Sequence, residues 1–336
     1  MISGRSFIQI PVNFITVEDH GMTTAKHIIL GAGGAITPPL TRELLLNGES
    51  VKLVSRRGYK FSGTESSRAD LTVANDVLAA IDPGSVVYLL AGLPYNTHVW
   101  REQWPKVMQN VVSACENRKA RLIFFDNVYM YGKVGAPMRE DSPVCPCSRK
   151  GEIRARIADL FLSETKKGNL RGIIARSADF YGPYARGTSV PTLLVLERLA
   201  RGKKAQWLVN PKARHSFTYT MDCGKAICLL AKTESAYDQV WHLPTASPPI
   251  TGEQFIAIAA RKFGVDPDYT VLRKWMVRVG GVFDSLVRET YEMIYQSEYD
   301  YVFDSSKFEE FFKVAPTPYV KGIEESIEYL KSGGTH

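Results

Sequence analysis

With 336 residues, 45% of them hydrophobic and 23% charged, the chain can bury one large core or two smaller ones, which excludes a disordered or fibrous protein. Its net charge of +7 is spread along the sequence apart from Arg149, Lys150, Arg154 and Arg156, and no nucleic-acid-binding module accompanies it, so no nucleic-acid partner is expected. Five sparse cysteines (Cys115, Cys145, Cys147, Cys223, Cys228) argue for reduced thiols in a cytoplasmic protein, and Cys145-Pro146-Cys147 is too tight and isolated for a zinc site, so no metal is expected. No apolar run approaches the roughly 18 residues of a membrane span, and no membrane partner is expected.

Residues 1–24 read as an N-terminal extension. Pro11 and Asn13 interrupt the apolar centre that a signal peptide would need. The alternation of Ile8, Ile10, Val12 and Phe14 fits a docked extended arm, and a disordered leader is the other reading.

The next stretch sets the organisation of the chain. Lys26-His27-Ile28-Ile29-Leu30 is a short apolar strand that ends in Gly31-Ala32-Gly33-Gly34-Ala35-Ile36, after which a helical pattern runs through Leu40, Leu44 and Leu45. Strand, glycine turn and helix form the arrangement that holds a dinucleotide pyrophosphate: glycine permits close backbone approach, and the N–H groups at the helix start face the anion. A second apolar strand, Val51 to Val54, ends in Ser55-Arg56-Arg57. An acidic residue here would bind a ribose 2′-hydroxyl, whereas two guanidiniums suit a 2′-phosphate, so the expected cofactor is NADP, with NAD the alternative. Two solvated arginines in a surface turn remain the bland reading of Arg56 and Arg57.

A polar stretch leads to Ala69-Asp70-Leu71 and a short helix ending near Ile81. Val86 to Leu90 reads as a buried strand ending in Ala91-Gly92-Leu93-Pro94, a small-residue loop that admits a cofactor. Residues 98–117 form a helix with Trp100, Trp104, Val107 and Val111 on one side, a stripe that reads as core or subunit contact. Arg121 to Phe125 is a strand ending in Asp126-Asn127. A helix from about Lys150 to Lys167 and a strand from Gly172 to Arg176 follow. This alternation predicts an α/β, doubly wound parallel sheet with ligands beyond the strand carboxyl ends. Thereafter the rhythm loosens. A helix starts near Pro191, short strands fall at 206–209 and 217–220, and helices lie near 222–232, 251–263, 272–295 and 319–331. This smaller, mixed α/β portion suits a cap over the open edge of the sheet.

Four motifs in order, Gly31 to Ile36, Asn127-Val128-Tyr129-Met130-Tyr131-Gly132, Arg176-Ser177-Ala178-Asp179-Phe180-Tyr181-Gly182-Pro183 and Phe217-Thr218-Tyr219-Thr220-Met221-Asp222, resemble the extended short-chain dehydrogenase/reductase family, in particular its NAD-dependent epimerase/dehydratase group, over about residues 26 to 330. The resemblance implies a Rossmann-like domain over 25–180, a mainly substrate-binding portion over 181–336 with some chain returning to the first domain, and a nicotinamide cofactor. It also implies a homodimer joined through the helices near 98–117 and 150–167. Cofactor contacts carry over to Gly31, Gly33, Gly34, Ala35, Ile36, Ser55, Arg56, Arg57, Asp70, Leu71, Ala91, Gly92, Leu93, Lys150 and Ser177.

Several positions depart from the family pattern. Thr37 replaces the third glycine, and Pro38 and Pro39 follow it. Asn127 stands where a serine is usual. Lys150 and Arg154 occupy the tyrosine and lysine positions of the Tyr-x-x-x-Lys motif. One reading makes Lys150 catalytic, its pKa lowered by Arg149, Arg154 and a cationic nicotinamide, with Asn127 holding the substrate oxygen and Tyr131 an alternative donor. The other leaves Lys150 on the nicotinamide ribose and pairs Arg154 with a carboxylate. Tyr181 is a candidate substrate contact, or a packed aromatic. Asp179 reads as a loop cap. Arg214 and His215 stand where nucleotide-sugar enzymes of the family usually have Arg-Asp, which weakens the expectation of a pyrophosphate clamp. The expected function is an NADP-dependent oxidoreductase or epimerase/dehydratase acting on a small hydroxyl- or carbonyl-bearing metabolite, a sugar or sugar nucleotide among the candidates. The alternative is an NADP(H)-binding redox sensor or regulatory protein without turnover.

Overall fold

A computed structural model describes residues 27–334; the N-terminal extension lies outside them. The first apolar runs form the centre of a seven-stranded, wholly parallel sheet. Its strands are β1 (His27–Leu30), β2 (Val51–Val54), β3 (Glu65–Ser67), β4 (Val86–Leu89), β5 (Arg121–Asp126), β6 (Gly172–Arg176) and β7 (Gln239–His242). They lie in the order β7-β6-β5-β4-β1-β2-β3. Every residue of β1, β4 and β6 is buried, as expected of strands covered on both faces.

Two strands were not legible as strands. Glu65–Ser67 is an edge strand of short polar residues and carries no apolar signal. Gln239–His242 sits among residues that read as packing, and it pairs with β6 only because the chain returns to the sheet after crossing the mixed portion.

Helices α1 (Thr37–Leu46), α2 (Ala74–Ala80), α3 (Thr97–Arg118) and α4 (Arg149–Lys166) link the sheet strands, and α5 (Thr220–Lys232) packs on α1. On one face Trp100, Trp104, Val107, Val111 and Ile157 meet Phe124 and Ile174. The tryptophan stripe of α3 is therefore core. On the other face Leu40 and Leu44 meet Ile227 and Trp241. Side chains set the helix starts: Asn96 Oδ1 accepts from the N–H groups of His98 and Val99, and Ser148 Oγ accepts from that of Gly151.

The remaining elements gather around a third core of Tyr181, Trp207, Phe217, Phe255 and Ile323. They include three two-stranded sheets, α6 (Gly252–Phe263) and, at the end, α10 (Tyr319–Lys331). The helix expected over 272–295 is two helices, α7 (Lys274–Phe283) and α8 (Ser285–Tyr291). Asp284 breaks it: its backbone is extended, and its carboxylate caps the N–H groups of Leu286 and Val287. This break turns α8 and the following turn, Ile294–Ser297, toward the carboxyl ends of β4 to β6. Helix α9 (Ser306–Phe312) packs on β7. Among the described residues no helix is long and apolar enough to cross a membrane.

Candidate active site

The sheet winds outward in both directions from β1, so the loops after β1 and β4 part and leave a crevice between them. On its floor the bend after β1 is almost bare of side chains. Gly31 and Gly33 have φ of +79° and +114°, and a Cβ on Gly31 would lie 2.3 Å from Ala91 Cα. Thr37 takes the place of a third glycine by turning its hydroxyl back to accept from Gly33 N at 3.1 Å. Pro38 and Pro39 have no N–H to offer, which leaves those of Ala35 and Ile36 at the helix start.

Beside this bend, Ser55, Arg56, Arg57 and Gly58 form a turn closed by Gly58 N donating to Ser55 O at 3.3 Å. Both arginines are exposed. Ser55 Oγ accepts from Tyr59 N at 2.8 Å, which brings the Tyr59 ring over Gly33. Tyr59 was not foreseen. Asp70 Oδ1 caps Thr72, whose hydroxyl and N–H hold the Asp70 carboxyl below its usual range, with Arg56 assisting. Leu71 is buried beside it, and Ala91, Gly92 and Leu93 form the wall after β4. Tyr329 and Gly333, at the end of the last helix, close the groove from the other side. Ser177 is turned inward, with its hydroxyl donating to Ala178 O.

The positions expected to carry chemistry fall elsewhere. Lys150 is fully buried, and its ammonium is ringed by acceptors. It donates to Glu289 Oε2 and Glu292 Oε1, each at 2.6 Å, to Thr97 Oγ1 at 2.9 Å and to Glu289 O at 3.0 Å, and it lies over the Tyr95 ring. Burial raises the Glu289 carboxyl, but hydrogen bonds from Lys150 and Thr97 outweigh it and hold the group below the usual range. In place of the cations expected around Lys150 stand two carboxylates, Glu289 from α8 and Glu292 just after it, some 140 residues away. Gly151 is there because α4 touches the turn after β5: a Cβ would lie 2.6 Å from Tyr129 O. Substituting Lys150→Met leaves both carboxylates without their cation, and we expect a loss of about 1–3 kcal/mol in urea unfolding, with faster proteolysis within 285–297.

Arg154 is not beside the crevice either. Its guanidinium is buried under the end of β5, stacked on Trp104 at 4.6 Å and paired with Asp126, with Nε donating at 2.8 Å. Asp126 also accepts from Arg176 Nε at 3.3 Å. Arg176 Nη1 donates to the Tyr131 hydroxyl at 2.9 Å, and that hydroxyl meets His242 Nε2 at 2.7 Å. His242 Nδ1 lies 2.8 Å from Asp304 O, a carbonyl that only accepts, so Nδ1 carries the proton and Nε2 accepts from Tyr131. Tyr131 is therefore committed on both sides and 1% exposed, out of reach of a substrate. Asn127 Oδ1 accepts from Tyr129 N at 3.1 Å and shapes the turn after β5.

Burial, helped by Arg176, pushes His242 down to about 3. Because an unfolded histidine titrates near 6.5, the unfolded state binds the extra proton below that value, and stability falls as pH drops from about 6.5 toward 3, by up to about 1.4 kcal/mol per unit. His242→Gln is expected to flatten this part of the stability profile, measured as urea midpoints between pH 7 and 4.

A pocket does form over the ends of β4, β5 and β6. Its polar lining includes Tyr95, Tyr129, Asp179, His215 and Gln296, along with Asn210, Thr290 and Ser297. His215 Nε2 lies 3.1 Å from Asp179 Oδ2, and the ring stacks on Phe217 at a centroid distance of 4.5 Å. Asp179, read from sequence as a loop cap, is thus a histidine partner. Burial raises the Tyr95 and Tyr129 hydroxyls above the ordinary phenol range, so both keep their protons near neutrality. The other expected substrate residues are outside this pocket. Tyr181 is fully buried in the third core against Tyr219, Phe255 and Tyr319. Arg214 is exposed and fastened to Asp300 by Nε at 2.8 Å and Nη2 at 2.6 Å.

A doubly wound sheet with a bare bend after its first strand, beside a pocket at the ends of the next three, defines a dinucleotide-binding protein of the extended short-chain dehydrogenase/reductase class. The chain belongs to the NAD dependent epimerase/dehydratase family, an enzyme family whose model matches residues 27–241. No curated protein matches it. Solved structures show the same fold at low identity. The UDP-glucuronic acid 4-epimerase of Bacillus cereus, solved with NAD, is 19% identical over 92% of this chain and 99% of that one, with a TM-score of 0.74. A double mutant of the dTDP-glucose 4,6-dehydratase of Streptomyces venezuelae, with NAD bound, is 15% identical over 91% and 96%, TM-score 0.74. The UDP-glucose 4-epimerase of Thermus thermophilus, complexed with NAD, is 15% identical over 91% and 98%, also with TM-score 0.74.

Proposed function

We propose that the protein is an NADP-dependent oxidoreductase or epimerase/dehydratase acting on a small hydroxyl- or carbonyl-bearing metabolite. The observation that carries this reading is the Gly31 bend lying against Ala91, a cradle that any side chain would fill, with the exposed Arg56-Arg57 pair at the end of the neighbouring strand. Ala35 and Ile36 amides would bind a pyrophosphate, and Arg56 and Arg57 a 2′-phosphate. When bound, the nicotinamide supplies the hydride acceptor or donor. The relatives were crystallised with NAD; the preference for NADP rests on the arginines and the absence of an acid at the end of β2. Replacing both arginines by alanine is expected to weaken NADP binding about 10- to 100-fold while changing NAD binding less than threefold, by calorimetry.

The chain's own acid–base groups fit this role in a particular way. Tyr95 and Tyr129 keep their hydroxyl protons and so offer hydrogen bonds to a substrate oxygen, whereas the His215–Asp179 pair is placed to exchange a proton with it. The carboxylate accepts a hydrogen bond from Nε2–H, which leaves the neutral ring's lone pair on Nδ1. Lys150, held by Glu289 and Glu292, positions α8 against the site.

A second reading is favoured by that same clamp: a protein that binds NADP(H) as a sensor and performs no turnover, since no Tyr–Lys pair is assembled. Hydride transfer from C4-deuterated NADPH to any member of a panel of ketones and sugar nucleotides decides for the enzyme. Tight NADPH binding with no transfer across the panel decides for the sensor. The homodimer would use the outer, polar faces of α3 and α4, and sedimentation at micromolar concentration tests it.

A further inference from the structure

We propose that the pocket over β4 to β6 takes an uncharged, largely apolar molecule bearing a single hydroxyl or carbonyl, and rejects nucleoside diphosphates. This rests on the reading above for its cofactor, but the pocket's own composition carries it.

The walls are Val190, Leu194, Trp207, Phe217, Met293 and Ile294. Among the described residues no lysine or arginine lines the pocket, and its one acidic side chain is Asp179, paired with His215. A diphosphate brings at least two negative charges into this space. It would meet no guanidinium, would face Asp179, and would lose water without compensation.

The arginine next to His215 in sequence is barred from serving as a clamp by strand geometry. Arg214 and His215 are successive residues of a strand, so their side chains point to opposite faces: His215 is buried at the pocket and Arg214 is exposed. Turning Arg214 inward would need a one-residue slip that carries His215 out, against pairing with Ile250–Thr251 and Tyr301. Asp300 holds Arg214 outside from both its backbone N–H and its guanidinium.

Against this apolar lining stands one unmet polar group. Gln296 is 5% exposed and lines the pocket; its amide lies against the Tyr301 hydroxyl and holds that group lower than burial alone would, but its nitrogen makes no well-formed hydrogen bond. A buried donor held short of a well-formed bond is costly, and one ligand oxygen in better geometry relieves it. The pocket thus offers an apolar enclosure and a point of attachment for one oxygen beside His215.

The test uses the full chain, with and without saturating NADP. Calorimetric binding is measured for ten bicyclic ketones and alcohols, including 2-tetralone and 4-chromanone, and for UDP and dTDP. Saturable binding of at least one bicyclic compound, with no binding of either nucleotide at 1 mM, is the expected result. Gln296→Leu is expected to leave Tm unchanged or raised and to weaken that compound at least tenfold, with NADP affinity intact. Binding of UDP or dTDP in competition with the ketone, or no saturable binding by any of the ten, overturns the proposal. Failure of NADP itself to bind overturns the cofactor reading instead, and the NADP-free titrations still decide the pocket.

Discussion

Gly31→Ala is expected to cost the protein both stability and cofactor binding. A Cβ at this position lies 2.3 Å from Ala91 Cα and 2.7 Å from Ala91 N, so no rotamer change relieves it, and β1 must move away from the loop after β4. The backbone there, at φ +79°, is also disfavoured for alanine by about 1–2 kcal/mol. Together with the overpacking, a loss of about 2–5 kcal/mol in urea unfolding follows. NADP affinity should fall by about two orders of magnitude as the bend opens. Gly34→Ala is the control. A Cβ there meets nothing within 4 Å, so stability should be unchanged. If the pyrophosphate runs along this backbone, binding alone should weaken. Equal NADP affinity in wild type and Gly31→Ala would remove the bend from the binding site.

The other large effect is expected where no ligand sits. Asp126 is 1% exposed and lies between the guanidiniums of Arg154 and Arg176, which are 4% and 3% exposed. Asp126→Asn keeps the shape and removes, among the described residues, the one carboxylate that touches both. Two buried cations are then left facing each other, and breaking such a set by deleting one partner costs about 3–5 kcal/mol. The stacking of Arg154 on Trp104 and Phe124 offsets only part of this. Denaturant unfolding should show the loss, and Arg154→Met in the Asp126→Asn background should restore a large share by removing one orphaned charge. A double mutant no more stable than Asp126→Asn would mean that Arg154 reaches water in the single variant. This cluster explains why an arginine at the usual lysine position need not serve chemistry. It ties the ends of β5 and β6 to α4, and through Tyr131 to His242 on β7.

What the linear chain determines is local. Apolar runs bounded by glycine and polar turns dictate strands, and those at 27–30, 51–54, 86–89, 121–126 and 172–176 could be placed because a strand buried on both faces has no other composition open to it. The glycine cluster marks the bend after β1 because its backbone adopts angles that side chains oppose. The arginine pair marks the end of β2 by position alone. Family membership follows from the order of such motifs.

The tertiary structure decides what the charged and aromatic side chains face. Lys150 meets carboxylates that lie 139 and 142 residues away, and only the break at Asp284 turns them toward it. His215 and Arg214 divide between a pocket and the solvent because a strand alternates, and a two-residue strand is too short to announce itself in composition. Tyr131 and Tyr181 look alike as residues near strand ends, yet one is held in a buried hydrogen-bonded chain and the other packs inside the third core. A side chain's neighbours are set by which distant segments fold over it, and that information is spread across the whole sequence.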